Sequence, residues 1–93
     1  MQSIQDNVAR SRFELTFEGQ IGFIDYQRRG GTLVLMHAEV PAQLQGRGFG
    51  SALVRAVLEH VRASGERVIP RCPFVVRFMQ RHPEFDELRA QAG

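Results

Sequence analysis

The order of apolar and polar residues predicts three strands in the first half of the chain. Residues 12–18 alternate strictly, with Phe13, Leu15 and Phe17 on one side and charged or polar side chains on the other. Residues 21–28 form a second alternating segment, in which Ile21, Phe23 and Asp25 share one face. Gly30-Gly31 provides the positive φ angles of a tight hairpin turn. Residues 32–40 are more continuously apolar, so this strand is predicted to be more central and to end at Pro41.

Helical spacing replaces the alternation in the second half. Residues 51–64 carry one apolar stripe, and Gly65 follows where a left-handed helix cap belongs. Residues 67–70 are predicted to form a short strand. Residues 73–82 form a second predicted helix, because a proline occupies its first turn and Pro83 follows its end. In the tail we expect Phe85 and Leu88 to pack back on the core.

These elements follow one another as β-β-β-α-β-α, which predicts an α/β (α+β) fold with a mixed sheet. The first three strands form an antiparallel meander. The third strand, the long helix and the fourth strand form a right-handed βαβ unit, so these two strands should be parallel. Residues 1–11 show no sustained period and are expected to be a flexible lead-in to a single domain at 12–93.

Composition limits the kinds of protein that this can be. A chain of 93 residues with 43% hydrophobic residues can bury one modest core. Its single cysteine excludes an internal disulfide, which agrees with a reducing compartment. There is no apolar signal-peptide core and no stretch near the roughly 20 residues that cross a bilayer. We therefore expect a cytoplasmic protein without a membrane segment. A monomer is our expectation, although composition does not determine the oligomeric state.

The cations suggest a phosphate-bearing partner. The net charge is only +2, but every cation other than histidine is arginine, whose planar guanidinium suits phosphate. Charge alone does not distinguish a nucleic acid from a nucleotide-like cofactor.

A glycine-rich segment stands between the third strand and the long helix. It is Gln45-Gly46-Arg47-Gly48-Phe49-Gly50-Ser51, which we call the glycine turn. Its glycines leave main-chain N–H groups uncovered, and the helix start adds unpaired N–H groups and a positive dipole end, so a phosphate or diphosphate is favoured. The chain has no Lys for a Walker loop, and the spacing G-x-G-x-G departs from the dinucleotide fingerprint. A glycine-rich loop that only turns the chain is the alternative.

The glycine turn resembles the R/Q-x-x-G-x-G/A motif of the GNAT superfamily of acetyl-CoA-dependent N-acetyltransferases. Over residues 12–88 the chain is similar to a subgroup of very short GNAT-like proteins. The segments that carry the similarity are Phe13-Glu14-Leu15, Glu39-Val40-Pro41, Cys72-Pro73-Phe74-Val75 and His82-Pro83-Glu84-Phe85. The resemblance implies that acetyl-CoA is the cofactor. It also implies that the cofactor is bound by Val40, Gln45, Gly46, Arg47, Gly48, Phe49, Gly50 and Ser51.

The resemblance further implies where the reaction takes place. The pantetheine arm of coenzyme A would enter a gap where the parallel strands 33–40 and 67–70 separate. The pair of helices that full-length relatives have between their first two strands is missing here. Because those helices commonly help to form the acceptor pocket, the amine acceptor is left unidentified.

Three residues are candidates for catalysis. His37 and Glu39 lie two apart on one strand and so share a face near the expected gap. Either could accept a proton from an ammonium substrate, or both could simply be solvated. Cys72 precedes Pro73 at the expected N-cap of the second helix, beside Arg71. It could act as a nucleophile or an acid, or be a small buried apolar residue. No metal site is expected, since no cluster has metal-ligand spacing.

The leading hypothesis is an acetyl-CoA-dependent N-acetyltransferase acting on a small-molecule or protein amine. A second is a module that binds an acyl-CoA with little or no turnover. A third is a nucleic-acid-binding protein, which is disfavoured because the arginines form no run and no exposed aromatic pattern accompanies them.

Overall fold

The computed structural model describes residues 4–90 and contains a five-stranded sheet with two helices. The strands are β1 (Gln5–Asn7), β2 (Arg12–Phe17), β3 (Gln20–Arg29), β4 (Thr32–Glu39) and β5 (Arg67–Pro70). The helices are α1 (Phe49–Ser64) and α2 (Pro73–Arg81). Short 3-10 segments lie at Val8–Arg10, Ala42–Leu44 and Pro83–Leu88.

The sheet is mixed, as the element order predicts. Its spatial order is β1-β2-β3-β4-β5; β1 to β4 are antiparallel neighbours, and β4 and β5 are parallel. The predicted α/β class and the βαβ unit are therefore confirmed. Residues 5–7, inside the segment expected to be a lead-in, form an edge strand that pairs with β2, which the sequence did not predict. Three residues are too few to show a period.

The glycines of the β3–β4 turn and of the α1 C-cap adopt the predicted conformations. Gly30 and Gly31, between β3 and β4, have φ angles of 48° and 77°. Gly65 has φ 78° and ends α1, and its N–H donates to the carbonyl of Arg62. Helix α1 begins at Phe49, two residues before its predicted start, so the last part of the glycine turn is the first turn of the helix.

Both helices pack against the same face of the sheet. Their buried side chains form one core cluster with Phe13, Leu15 and Phe17 of β2 and with Phe85 and Leu88 of the tail, as expected. On β3 the inward residues are Gly22, Ile24 and Tyr26, because the register sets Gly22 opposite Leu15 and Ile24 opposite Phe13. Ile21, Phe23 and Asp25 share a face, as predicted. It is the face of the sheet turned away from the helices, which we call the outer face, and Ile21 is 46% exposed there.

The two parallel strands, β4 and β5, separate partway along. The parallel pairing runs from Thr32–Arg67 to Leu35–Pro70 and then stops. The carbonyl of Leu35 accepts from the N–H groups of both Arg71 and Cys72, at 2.9 and 3.0 Å. Because β4 continues to Glu39 while β5 has ended, residues 36–39 have a strand neighbour only in β3. We call the space beside them the gap; it matches the strand separation that the family resemblance implies.

Candidate functional site

The glycine turn leaves main-chain nitrogens uncovered at the start of α1. Gly46 and Gly48 have φ angles of 78° and 82°, in the left-handed region that favours glycine. A Cβ added at either would meet nothing within 4 Å. Gly48 is the N-cap residue of α1, and the helix start has no side-chain cap. The first N–H groups of an α-helix have no partner within the helix, so those that follow Gly48 are available to a ligand.

A cavity of about 490 Å³ lies against these nitrogens. It is bounded by the end of β4, the glycine turn, the first turn of α1 and the start of α2. Its lining consists of Ala38, Val40, Gln45, Gly46, Gly48, Gly50, Ser51, Leu53 and Phe74, none of which carries a charge. The cavity therefore presents uncovered peptide dipoles at one end and apolar side chains at the other. Such a surface can receive a long ligand with an anionic group near the helix start.

Six of the eight predicted cofactor residues line this cavity, and two point elsewhere. The six are Val40, Gln45, Gly46, Gly48, Gly50 and Ser51. The side chain of Arg47 forms an ion pair with Glu18 at 2.7 Å and lies over the ring of Phe49. Phe49 itself packs on Phe17, with ring centroids 4.6 Å apart. The charge of Arg47, one of the predicted cofactor residues, is thus directed to Glu18, which is 29 residues away in sequence and beyond the reach of a local pattern.

Gln45 connects the glycine turn to the gap. Its side-chain amide donates a hydrogen bond to the carbonyl of Val40, at 3.1 Å. This bond holds the chain after β4 close to the start of the turn, so both contribute to one cavity wall. The main-chain groups of a strand point alternately to its two sides, and every second residue of the unpaired part of β4 therefore offers its N–H and C=O to the gap.

Sequence reasoning missed three lining residues, of which Phe74 is the most informative. Phe74 lies one turn before Phe78, a helical spacing that predicts a core residue, yet it is 38% exposed and forms a wall of the cavity. Its ring covers Gly50, where an added Cβ would lie 2.9 Å from the ring carbon Cζ. No local signal separates Phe74 from Phe78, since both fall on one helical stripe. The other two are Ala38 and Leu53.

His37 and Glu39 lie on the outer face, beside the gap and outside the cavity lining. They share a face, as their spacing predicts, and Phe23 of β3 lies with them: it is opposite Glu39 in the register, and its ring is 6.4 Å from that of His37. Arg12 of β2 lies on the same face, opposite Asp25 in the register, and its guanidinium is 4.3 Å from the Phe23 ring centroid. The cavity and these two side chains are therefore on opposite faces of the same strand, with the gap between them.

The charge of Arg12 is held by a neighbouring carboxylate. Its guanidinium donates to Glu14 at 2.7 Å, and Asn7 donates to the same oxygen at 3.1 Å. These hydrogen bonds, with that from Arg12 first, lower the pKa of Glu14. Glu39 and Asp25, by contrast, form no ion pair with any residue that the structure describes. They are the carboxylates of the outer face that remain available to a cationic partner.

Cys72 occupies the predicted N-cap of α2, and its side chain is buried. Its carbonyl accepts from the N–H of Val76, as an N-cap residue does, but its side chain makes no capping hydrogen bond. The residue is 6% exposed and belongs to the core cluster. It lies next to the end of the β4–β5 pairing without lining the cavity. This geometry favours the packing interpretation of the cysteine.

Comparison with known proteins agrees with the fold. The family model of GCN5-related N-acetyl-transferases matches residues 12–88, so the chain belongs to this family. A solved structure, determined by NMR, is that of a GCN5-like protein from Staphylococcus aureus described as a putative N-acetyltransferase. It superposes with a TM-score of 0.70 at 20% identity, covering 98% of this chain and 90% of that one. Curated proteins provide no match. In the described part of the chain no helix is long and apolar enough to cross a membrane.

Proposed function

We propose that this member of the family is an acetyl-CoA-dependent N-acetyltransferase whose cofactor occupies the cavity at the glycine turn. The observation that carries the proposal is the continuity of three features: uncovered amides at the start of α1, an uncharged cavity, and a gap between β4 and β5. A glycine-rich loop that only reverses the chain would need neither the cavity nor the separated strands.

The amides after Gly48 bind the diphosphate of coenzyme A in this proposal. Hydrogen bonds to an anion are stronger than those to a neutral acceptor, and the helix dipole adds to them. Left-handed glycines at 46 and 48 keep this surface free of side chains. Because Arg47 is paired with Glu18, peptide groups rather than a lining side chain supply the attraction at this point.

The gap receives the amide-containing arm, which would pair with main-chain groups of β4 near Ala38 and Val40 as an additional strand would. The bound cofactor supplies an acetyl thioester. Its reactive end then lies where the gap opens toward the outer face. The acceptor amine would approach from that face, since the cofactor would fill the cavity on the other side of the sheet.

We propose that Glu39 or His37 accepts the ammonium proton of the acceptor amine. An amine must lose its ammonium proton before it can attack a carbonyl, and a carboxylate or a neutral imidazole beside the gap can accept that proton, directly or through water. Glu39 has no ion-pair partner among the described residues, so its charge also attracts an ammonium group. For Cys72, burial in the core favours a packing role over covalent catalysis.

One observation favours the alternative of a binding module with little turnover. The outer face bears no helix in the part of the chain that the structure describes, so an acceptor would find a shallow surface instead of an enclosed pocket. The nucleic-acid alternative is weakened by the pairing of several arginines with carboxylates: Arg12, Arg28, Arg47, Arg55 and Arg62. A monomer in the cytoplasm remains our expectation.

Isothermal titration with acetyl-CoA, coenzyme A and duplex DNA, followed by amide chemical-shift mapping, tests the proposal. We expect both coenzymes to bind and the amides of residues 46–51 to shift most. Binding of DNA without coenzyme A would refute both coenzyme hypotheses. Mass spectrometry of an amine and peptide panel incubated with acetyl-CoA then separates an enzyme, which acetylates an acceptor faster than buffer does, from a binding module, which does not.

A further inference from the structure

A shallow groove continues from the cavity on the other side of Phe74. It has a volume of about 90 Å³ and is lined by Ser51, Phe74, Phe78, Arg77, Arg81 and His82; we call it the arginine groove. Ser51 and Phe74 line both the groove and the cavity, so the two are adjacent. The cavity lining is uncharged, whereas the groove presents two guanidinium groups and an imidazole.

The two arginines of the groove are left without counter-charges. Arg77 and Arg81 are exposed and lie one helical turn apart on α2, close enough to repel each other. Of the residues that the structure describes, no carboxylate lies within ion-pairing distance of either. The nearby Glu84 instead faces Arg55 and His82, at 3.7 and 3.6 Å. A doubly charged anion would relieve the repulsion between these two neighbouring guanidinium groups and accept hydrogen bonds from both.

We propose that the arginine groove binds the 3′-phosphate of coenzyme A and that Arg77 and Arg81 select the phosphorylated cofactor over its dephospho form. This inference rests on the proposed function. The coenzyme carries a diphosphate and, on the adjoining ribose, a phosphate monoester. With the diphosphate at the amides near Ser51, the ribose lies at the boundary that Ser51 and Phe74 share between cavity and groove. The monoester bears close to two negative charges near neutral pH, matching the two guanidinium groups.

The test is isothermal titration of coenzyme A and 3′-dephospho-coenzyme A into three proteins. These are the wild type, the double variant Arg77→Gln/Arg81→Gln, and the charge-matched control Arg10→Gln/Arg89→Gln, whose positions line neither cavity nor groove. We expect the wild type and the control to bind coenzyme A about tenfold more tightly than the dephospho form. In the groove variant the two affinities become nearly equal, because only coenzyme A loses a contact.

Equal affinities of the wild type for the two cofactors would overturn the inference and leave the proposed function intact. A preference that survives in the groove variant would overturn it as well. Failure of both cofactors to bind any of the three proteins would refute the proposed function and this inference together. Circular dichroism melts of the variants verify that these exposed substitutions leave the fold unchanged.

Discussion

Replacing Gly48 by alanine tests whether the peptide nitrogens at the start of α1 bind the diphosphate. The chain also contains a matched control for this substitution. Gly48 and Gly65 lie at opposite ends of α1 with nearly the same backbone angles, φ 82°, ψ 2° and φ 78°, ψ 8°. A Cβ at either position meets no atom within 4 Å. The two substitutions therefore impose the same backbone strain without a steric clash. Only Gly48 lines the cavity.

The expected cost in stability follows from the left-handed conformation. An L-residue there costs about 1 kcal/mol or slightly more. For a domain of this size, such a loss lowers the melting temperature by about 4–8 °C. We expect Gly48→Ala and Gly65→Ala to melt at similar temperatures, both below the wild type and both fully folded at 25 °C.

The expected cost in binding is different for the two variants. A methyl group at Gly48 projects beside the amides proposed to hold the diphosphate, and losing one hydrogen bond to an anion costs about 1.5–3 kcal/mol. This corresponds to roughly a 10- to 150-fold rise in the Kd of coenzyme A, measured by isothermal titration. Gly65→Ala should bind as the wild type does. If both variants bind coenzyme A equally well, the diphosphate is not held at the glycine turn.

Three further predictions concern other parts of the molecule. Glu39→Gln should lower kcat about 100-fold, the lower end of what a general base contributes, with the Kd of coenzyme A unchanged. Cys72→Ala should lose about 1 kcal/mol of unfolding free energy and keep its acetyl transfer, with no acetyl adduct at residue 72 of the wild type by mass spectrometry. The hydrogen bond from Arg28 lowers the pKa of Glu66, so the stability that this pair provides is complete above 4.5, the ordinary pKa, and is lost as the pH falls below it.

Controls make each of these predictions decisive. Glu14→Gln removes an outer-face carboxylate that is already paired with Arg12, so it should leave kcat nearly unchanged; an equal loss in both variants would argue against a specific role for Glu39. An acetyl adduct that disappears in Cys72→Ala would contradict the packing role. Urea unfolding of Glu66→Gln from neutral pH to below 4.5 should show a shallower decline than the wild type, and parallel curves would contradict the assignment.

The two side chains proposed to accept the acceptor's proton illustrate how far local patterns reach. The spacing of His37 and Glu39 predicts that they share a face, and the structure agrees. The spacing does not say whether that face is the buried or the outer one. The answer depends on β3, the neighbouring strand, where Ile21 and Phe23 alternate with Ile24 and Tyr26, so that either pair could be buried. The register with β2 decides this, because it sets Ile24 opposite the buried Phe13.

The sequence by itself determined the strands, from their alternation, and the first helix, from its apolar stripe. It also determined the turns, from glycines where φ must be positive, and the parallel pairing of β4 and β5, from the order of elements. These features depend on residues close together in the chain, so their signals are local. The tertiary structure alone decided that Arg47 pairs with Glu18 and that Phe74 forms a cavity wall. It also decided that Arg77 and Arg81, beside that wall, have no carboxylate partner among residues 4–90. Such outcomes depend on contacts between segments that are distant in sequence, and no local periodicity encodes them.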